Sequence, residues 1–282
     1  MILVTGAGGK TGKALIHALE SAGKSTRAFI YSSRHEKMIT AAGASEVIIG
    51  DMLNLDEFIK AAIGVRAIYH ICPNVHPDEV EIGVNAIQAS LSNHVEQFVY
   101  HSVIHPQIEA MPHHWLKLRV EELIIASGLP FTILQPTAYI QNILGQMKSI
   151  SSHGTYEVPY SVETRISLVD LGDVVAAATI VLKDRQHIGA TYELCGLDFP
   201  NQTEVASMLS KNLGRHIKAI QIPRKQWRMN AINKGWGGYQ IDTLIKMFKY
   251  YEENNLKGSP YILENLLGRA PNTFSSLLTL HI

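Results

Sequence analysis

Three glycines near the start of the sequence form the first pattern with chemical meaning. Gly6, Gly9 and Gly12 directly follow the apolar run Ile2–Thr5 and open a segment with helical periodicity. At a strand–turn–helix junction, glycines permit a tight turn, let backbone N–H groups approach a pyrophosphate and let the helix pack closely on the strand. The pattern predicts a dinucleotide-binding loop. Its residues are Gly6, Ala7, Gly8, Gly9, Lys10, Thr11 and Gly12.

The Gly9-Lys10-Thr11 segment also invites comparison with the P-loop of nucleotide triphosphatases. That motif needs another glycine five positions before Gly9. Val4 stands there, inside the predicted strand, so the P-loop interpretation is rejected. A purely structural role, in which the glycines serve the turn alone, stays open at this point.

The end of the second predicted strand bears on which dinucleotide is bound. NAD sites usually carry a carboxylate there, which accepts hydrogen bonds from the ribose hydroxyls. This sequence has Ser32, Ser33 and Arg34 instead, with no carboxylate. Because a guanidinium matches phosphate geometry, Arg34 with the two serines and Lys10 favours NADP, with NAD still possible. The alternative is that Arg34 is a solvated residue at the start of a helix.

Short apolar runs alternate with helical patterns through the first half of the chain. This alternation is typical of βαβ units on a parallel sheet with both faces covered, so the predicted fold class is α/β, a Rossmann-type doubly wound parallel sheet. The predicted strands are Ile2–Thr5, Thr26–Tyr31, Glu46–Ile49, Ala67–Ile71, Gln97–His101 and Phe131–Leu134. The predicted helices are Lys10–Ala22, His35–Ala42, Asp56–Ala62, Asp78–Leu91 and Pro112–Ser127.

The regular alternation ends after Gln135. Beyond it, a strand at Thr191–Leu194 is mixed with helices at Asp170–Lys183 and Gln202–Asn212. We therefore predict a dinucleotide-binding domain over residues 1–150, with elements returning to its sheet from about residues 160–195. Residues 151–282 are predicted to form a smaller α+β substrate-binding lobe.

Composition narrows the function classes. The 282 residues carry 25 Lys and Arg against 25 Asp and Glu, without a basic cluster, so nucleic-acid binding has no electrostatic support. No apolar run is long enough for a membrane span, and because the first apolar run leads directly into the glycine loop we expect no secretory leader. Cys72 and Cys195 lie far apart, which argues against a disulfide framework or a zinc site and favours a reducing, cytoplasmic setting.

Four segments together resemble the NmrA-like family of atypical short-chain dehydrogenases/reductases. The Lys117–Asn142 segment is the most specific, because Ser127–Leu134 and Pro136–Tyr139 follow in the order that this family shows. The four segments are Val4–Gly12, Gly50–Met52, Lys117–Asn142 and Leu267–Phe274. The resemblance implies that Asp51 and Met52 lie beside the adenine, Cys72 and Pro73 beside its ribose, and Pro136 and Tyr139 near the nicotinamide.

The resemblance also implies where catalysis would occur. Ordinary members of the wider superfamily use Ser, Tyr and Lys, with the Tyr four residues before the Lys on one helical face. Here Lys117 and Ser102 occupy the expected positions, but His113 stands in the place of the tyrosine. A His113–Lys117 pair can still move a proton, because an imidazole titrates near neutral pH. Tyr139 offers a second proton donor.

Other side chains near these positions allow more than one interpretation. His101, His105 and His114 are either part of the site or polar loop residues near a cleft. No carboxylate lies at ligand spacing beside the adjacent histidines, so no metal site is predicted. Trp227 and Trp236 flank a glycine-rich stretch and are candidate walls for an apolar or aromatic substrate.

Three functions follow from these observations. The first is an NADP-dependent oxidoreductase that moves a hydride to or from a small apolar or aromatic carbonyl, quinone or enone. The second is a non-catalytic, dinucleotide-sensing regulator that binds a partner protein. The third is an epimerase or lyase-like enzyme with a tightly held cofactor. The retained Lys117 favours the first, and the missing tyrosine favours the second.

Overall fold

The computed structural model describes residues 1–280, in which strands and helices alternate as the sequence predicts. The strands are β1 (Ile2–Val4), β2 (Thr26–Ile30), β3 (Glu46–Ile49), β4 (Ala67–His70), β5 (Gln97–His101), β6 (Phe131–Pro136), β7 (Ala138–Tyr139), β8 (Thr155–Val158), β9 (Leu168–Val169), β10 (Thr191–Leu194) and β11 (Lys218–Gln221). The strands predicted in the first half are confirmed, and their bounds differ by at most two residues.

The helices cover both halves of the chain. They are α1 (Lys10–Ser21), α2 (Glu36–Ala41), α3 (Leu55–Ala62), α4 (Glu79–Ser92), α5 (Pro112–Ala126), α6 (Ile140–Leu144), α7 (Met147–His153), α8 (Leu171–Lys183), α9 (Gln202–Leu213), α10 (Arg224–Asn233), α11 (Gly238–Asn254), α12 (Tyr261–Leu267) and α13 (Phe274–Leu280). Asn54 caps α3 by accepting hydrogen bonds from the backbone N–H groups of Asp56 and Glu57. None of these described helices combines the length and apolarity that crossing a membrane requires.

Seven strands form the main sheet, in the order β10-β6-β5-β4-β1-β2-β3. The pairs from β3 through β6 are parallel. From the centre of the sheet, the chain adds strands outward in one direction from β1 to β3 and in the other direction from β4 to β6. The loops after β1 and β4 therefore leave the carboxyl edge of the sheet in opposite directions. Open α/β sheets bind ligands at this switch point. The predicted Rossmann-type α/β fold class is confirmed.

The buried core explains why these segments form strands and helices. Leu3, Phe29, Ile68 and Phe98 come from four neighbouring strands and pack with Phe58 of α3, each of them at most 1% exposed. Strands with both faces covered must be apolar on both sides, which is why they read as continuous apolar runs.

The chain divides into two compact units. The first consists of residues 1–107, 114–135 and 174–192, and the second of residues 108–113, 136–173 and 193–282. The second unit holds two small parallel two-stranded sheets, β8 with β11 and β7 with β9. The functional division at residue 150, between dinucleotide binding and substrate binding, stays a prediction.

Candidate functional site

The glycine loop lies between β1 and α1, and its backbone geometry requires glycine at two positions. Gly6 has a φ of +56°, and a Cβ there would lie 2.6 Å from the carbonyl oxygen of Ile71. A Cβ on Gly12 would lie 2.6 Å from the Cα of Ala7. A side chain at either place would therefore strain the turn or force α1 away from β1.

The start of α1 has features that suit an anion. Gly9 is the N-cap and has no side chain that could cap the helix, and its own N–H donates to the Gly6 carbonyl at 3.0 Å. The first turn carries no acidic residue. The positive end of a helix dipole without an acidic residue in its first turn suits a phosphate group, which is the role predicted for this loop.

The turn after β2 lies beside this loop. A Cβ on Gly8 would lie 3.1 Å from the His35 ring, and the Nε of Arg34 donates to His35 Nε2 at 3.0 Å. Ser33 and Arg34 are exposed, and Ser32 is partly exposed. The segment Ser32–His35 thus carries an exposed guanidinium next to the glycine loop, and no acidic residue lies within it.

The segment after β3 is held by hydrogen bonds to its backbone. Asp51 accepts from the N–H of Leu53 at 2.9 Å, and its own N–H donates to Glu57 at 2.8 Å. The carbonyl of Met52 accepts from the Asn85 side chain of α4 at 3.0 Å. These contacts fix the backbone at Asp51 and Met52, the residues expected beside the adenine.

Lys117 of α5 forms a buried ion pair with Glu79, the first residue of α4. Its Nζ donates to Glu79 Oε1 at 2.9 Å and to the carbonyl of His101 at 3.3 Å. Glu79 is 3% exposed and also accepts from the Tyr100 hydroxyl at 2.8 Å. Burial by itself raises the pKa of Glu79, but the Lys117 ammonium and hydrogen bonds from Lys117, Tyr100 and Cys72 hold this pKa below its usual value.

The groups around this ion pair stay neutral near neutral pH. Burial lowers the pKa of both His70 and His101 to about 3. Burial, followed by the Glu79 charge, raises the pKa of the Cys72 thiol and of the Tyr100 hydroxyl. Cys72 is a buried thiol, and Pro73 after it is exposed.

Ser102 follows β5 and is bound to a second buried carboxylate. Its hydroxyl donates to Glu121 Oε1, and the Gln135 amide donates to both Glu121 oxygens at 3.0 Å. Burial raises the pKa of Glu121, although Ser102, Gln135 and Lys117 act in the opposite direction. Ser102 is therefore held in one orientation at the carboxyl end of β5.

The histidines near α5 differ in their surroundings. His113 lies in the first turn of α5, one turn before Lys117, and is partly exposed. His114 is fully buried, its Nδ1 bonds to the His105 carbonyl at 3.3 Å, and burial lowers its pKa to about 4. His101 ends β5, and its Nδ1 shares a 2.7 Å hydrogen bond with the Tyr69 hydroxyl. His101 and His114 are thus buried residues of regular elements, which differs from the loop interpretation.

Besides His113, four predicted site residues belong to the second unit. Pro136 ends β6, and Tyr139, in β7, is the N-cap residue of α6. The Trp227 and Trp236 rings meet edge to face at 5.8 Å, and Trp227 also meets Phe248 at 4.7 Å. Trp236 is 40% exposed, so these rings form a partly open aromatic surface.

Sequence reasoning missed Glu79 and Glu121 as site residues. Glu121 lies four residues after Lys117, as Lys117 lies four residues after His113, so these positions share one face of α5. That spacing is a signal that was available in the sequence. Nothing local marks Glu79, because its burial depends on contacts with Tyr100 and Lys117 far along the chain.

Comparison with known proteins identifies the family. The model of the NmrA-like family matches residues 1–274. An NAD(P)H azoreductase of Xenophilus azovorans is 25% identical over 283 aligned residues, covering 100% of this chain and 98% of that protein.

Solved structures share the fold at lower identity. The NADPH-dependent quinone oxidoreductase of Escherichia coli, complexed with NADPH, superposes with a TM-score of 0.86 at 21% identity over 99% of both chains. The Citrobacter sp. triphenylmethane reductase complexed with NADP(H) gives a TM-score of 0.85 at 19% identity over 100% of this chain and 99% of that one. Since the family model spans nearly the whole sequence, this chain belongs to the NmrA-like family.

Proposed function

We propose that this protein is an NAD(P)H-dependent oxidoreductase that reduces a small apolar or aromatic carbonyl, quinone or enone. The observation that carries the proposal is the start of α1, where the glycine loop leads into a first turn without acidic residues at the positive end of the helix dipole. Family membership and the relatives named as an azoreductase and a quinone oxidoreductase support it.

The residues present fit a dinucleotide. Gly6 to Gly12 would hold the pyrophosphate, and Asp51, Met52, Cys72 and Pro73 would line the adenosine half. Lys117 would donate to a ribose hydroxyl, with Pro136 and Tyr139 beside the nicotinamide. Arg34 with Ser32 and Ser33 would hold the additional phosphate of NADP.

The bound reduced nicotinamide would supply a hydride. The chain must then deliver a proton to the acceptor, and His113 and Tyr139 are the candidate donors. Ser102 donates its only hydroxyl hydrogen to Glu121, so as bound here it can only accept a further hydrogen bond. The aromatic surface of Trp227 and Trp236 suits a planar substrate.

A pair of substitutions at Gly9 tests the binding site. The backbone there is extended, with φ −81° and ψ 169°, and a Cβ would meet only the Gly6 carbonyl oxygen, at 3.3 Å. Gly9→Asp supplies a good N-cap, so the fold should be retained, but its carboxylate repels phosphate. We expect NADPH affinity, measured by calorimetry, to fall by at least about tenfold, the effect of losing one charged hydrogen bond.

Gly9→Ser is the matched control, because it adds a cap and a Cβ without charge. Its NADPH affinity should lie between that of Gly9→Asp and the natural protein. Equal affinity for NADPH in all three proteins would refute the proposed binding site. Turnover is tested by NADPH oxidation with a panel of quinones, enones and aromatic carbonyls.

Arg34 tests the choice of dinucleotide. Arg34→Ala should weaken NADPH binding by at least about tenfold, because a charged hydrogen bond to phosphate contributes about 1.5–3 kcal/mol. Binding of NADH should change little, since it lacks that phosphate. Natural protein that binds NADH more tightly than NADPH would contradict the preference for NADP.

A regulator that senses dinucleotides through a protein partner is the second candidate. The observation that favours it is His113, which stands where the catalytic tyrosine is expected. Tight NADPH binding without oxidation of NADPH by any member of the acceptor panel would favour this candidate over the reductase.

A further inference from the structure

We propose that Glu79 is the counter-ion and positioning residue of Lys117, and that it leaves one N–H of this ammonium for the ribose of a bound dinucleotide. The inference rests on the function proposed above and deepens it. It assigns a role to a buried carboxylate that neither binds the dinucleotide nor belongs to the expected Ser, Tyr and Lys set.

The ion pair is rigid because it is held from several elements. Glu79 opens α4, Lys117 comes from α5 and Tyr100 from β5. Glu79 Oε1 accepts from both Lys117 Nζ and the Tyr100 hydroxyl, at 2.9 Å and 2.8 Å. The Lys117 ammonium also lies 5.2 Å from the centre of the Tyr100 ring. A lysine side chain is flexible by itself, so these contacts decide where its nitrogen lies.

The ion pair leaves one N–H group of Lys117 for a ligand. An ammonium has three N–H groups. In Lys117 one is donated to Glu79 and a second to the carbonyl of His101. Within residues 1–280, the third has no hydrogen-bond acceptor. A ribose hydroxyl at the carboxyl edge of the sheet would complete the coordination of the nitrogen.

Glu79 is also the main opposite charge near Lys117. Burial keeps His70, His101 and His114 neutral near neutral pH by lowering their pKa values, and it raises the pKa of Glu121. The titratable groups whose pKa values respond to Lys117 include His70, Cys72, Glu79, His101, His114 and Glu121, and His113 lies one turn before Lys117 on α5. Replacing Glu79 by glutamine therefore leaves a buried ammonium without its main counter-charge.

The test follows NADPH affinity against pH in Glu79→Gln. Glutamine keeps an oxygen that accepts from Lys117 and Tyr100, so the geometry is retained while the charge is lost. Because burial disfavours an unpaired ammonium, the variant lysine gives up its proton more easily. We expect NADPH affinity, followed by its fluorescence, to fall by at least about tenfold between about pH 6.5 and about pH 9.5 in the variant. The natural protein should show a much smaller change.

Glu81→Gln is the matched control, because Glu81 lies in the same first turn of α4 and is exposed. It should behave as the natural protein does. Glu79→Asp keeps the charge and should remain nearly independent of pH even if its affinity is lower. A Glu79→Gln profile parallel to that of the natural protein would overturn the inference.

Two further outcomes separate the inference from the proposed function. If the natural protein binds no NADPH at any pH, the proposed function fails first, and the inference fails with it. If Glu79→Gln does not fold, the double variant Glu79→Gln/Lys117→Met, which buries no unpaired charge, should fold again. Failure of the double variant to recover folded protein would also overturn the pairing.

Discussion

Glu79 and Glu121 are both buried carboxylates that reach the carboxyl end of β5, yet their partners differ. Glu79 faces an ammonium, a phenol and a thiol. Glu121 faces a serine hydroxyl and a glutamine amide. The pKa of Glu79 is lowered and that of Glu121 is raised. A full opposite charge offsets the cost of burying a carboxylate here, whereas two neutral donors do not.

The difference gives the two residues different capacities. Glu79 stays ionised and acts as a fixed charge that holds Lys117. Glu121 has the higher pKa of the two, so it takes up a proton at a higher pH than Glu79 does. It does so at the end of β5, where Ser102 is also held. The comparison separates a positioning carboxylate from one that is able to exchange a proton, although both are almost fully buried.

Removing the cation should have the largest effect on this comparison. Lys117→Met leaves Glu79 as an unpaired buried charge, which costs about 3–5 kcal/mol of folding free energy. We expect this loss in urea unfolding followed by circular dichroism. Lost activity in this variant would therefore report lost stability as well as lost catalysis, so activity alone cannot assign the role of Lys117.

Arg119→Met provides the matched control on the same helix. Arg119 pairs with Glu122 on the exposed surface, where side-chain exposures are 53% and 60%. Loss of such a pair costs at most about 1 kcal/mol. The double variant Glu79→Gln/Lys117→Met should recover most of the stability lost in Lys117→Met. Additive losses in this cycle would show that the two side chains are not coupled.

Lowering the pH should change the contributions of the two carboxylates to folding stability in opposite directions. Because the folded pKa of Glu79 is lowered, its stabilising effect is present above its unfolded pKa of about 4.3 and is lost as pH falls through the folded value. The folded pKa of Glu121 is raised, so its cost is absent below about pH 4.3 and grows as pH rises to the folded value.

Unfolding free energies from about pH 3 to about pH 7 test these signs. The advantage of the natural protein over Glu79→Gln should shrink as pH falls. Relative to Glu121→Gln, the natural protein should instead gain stability as pH falls, by about 1.4 kcal/mol for each unit of pKa shift. Changes of the same sign in both comparisons would contradict the assignment.

The sequence predicted the glycine loop because its constraints are local. Gly6 needs a positive φ, and Gly12 packs against Ala7 and Gly6, five and six residues before it, so both requirements depend on one short segment. Strand and helix bounds were predicted closely for the same reason: apolar periodicity and caps such as Asn54 act over a few residues.

The partners of Lys117 and Ser102 could not be predicted in this way. Lys117 meets Glu79, which lies 38 positions earlier, and Ser102 meets Glu121, which lies 19 positions later. Such contacts depend on strand order and helix packing, which a single sequence does not specify. A buried glutamate and a surface glutamate look alike until the neighbours are known.

Removing one hydroxyl that donates to each carboxylate should have the smallest effect on stability and should compare the two carboxylates most directly. Tyr100→Phe removes a donor from Glu79, and Ser102→Ala removes a donor from Glu121. Each should cost about 1.5–3 kcal/mol near neutral pH, the range for hydrogen bonds to charged groups. The cost of Ser102→Ala should decline first as pH falls, because Glu121 takes up its proton at a higher pH than Glu79 does. Urea unfolding of both variants at matched pH values checks this order, and an earlier decline for Tyr100→Phe would reverse the roles assigned to the two carboxylates.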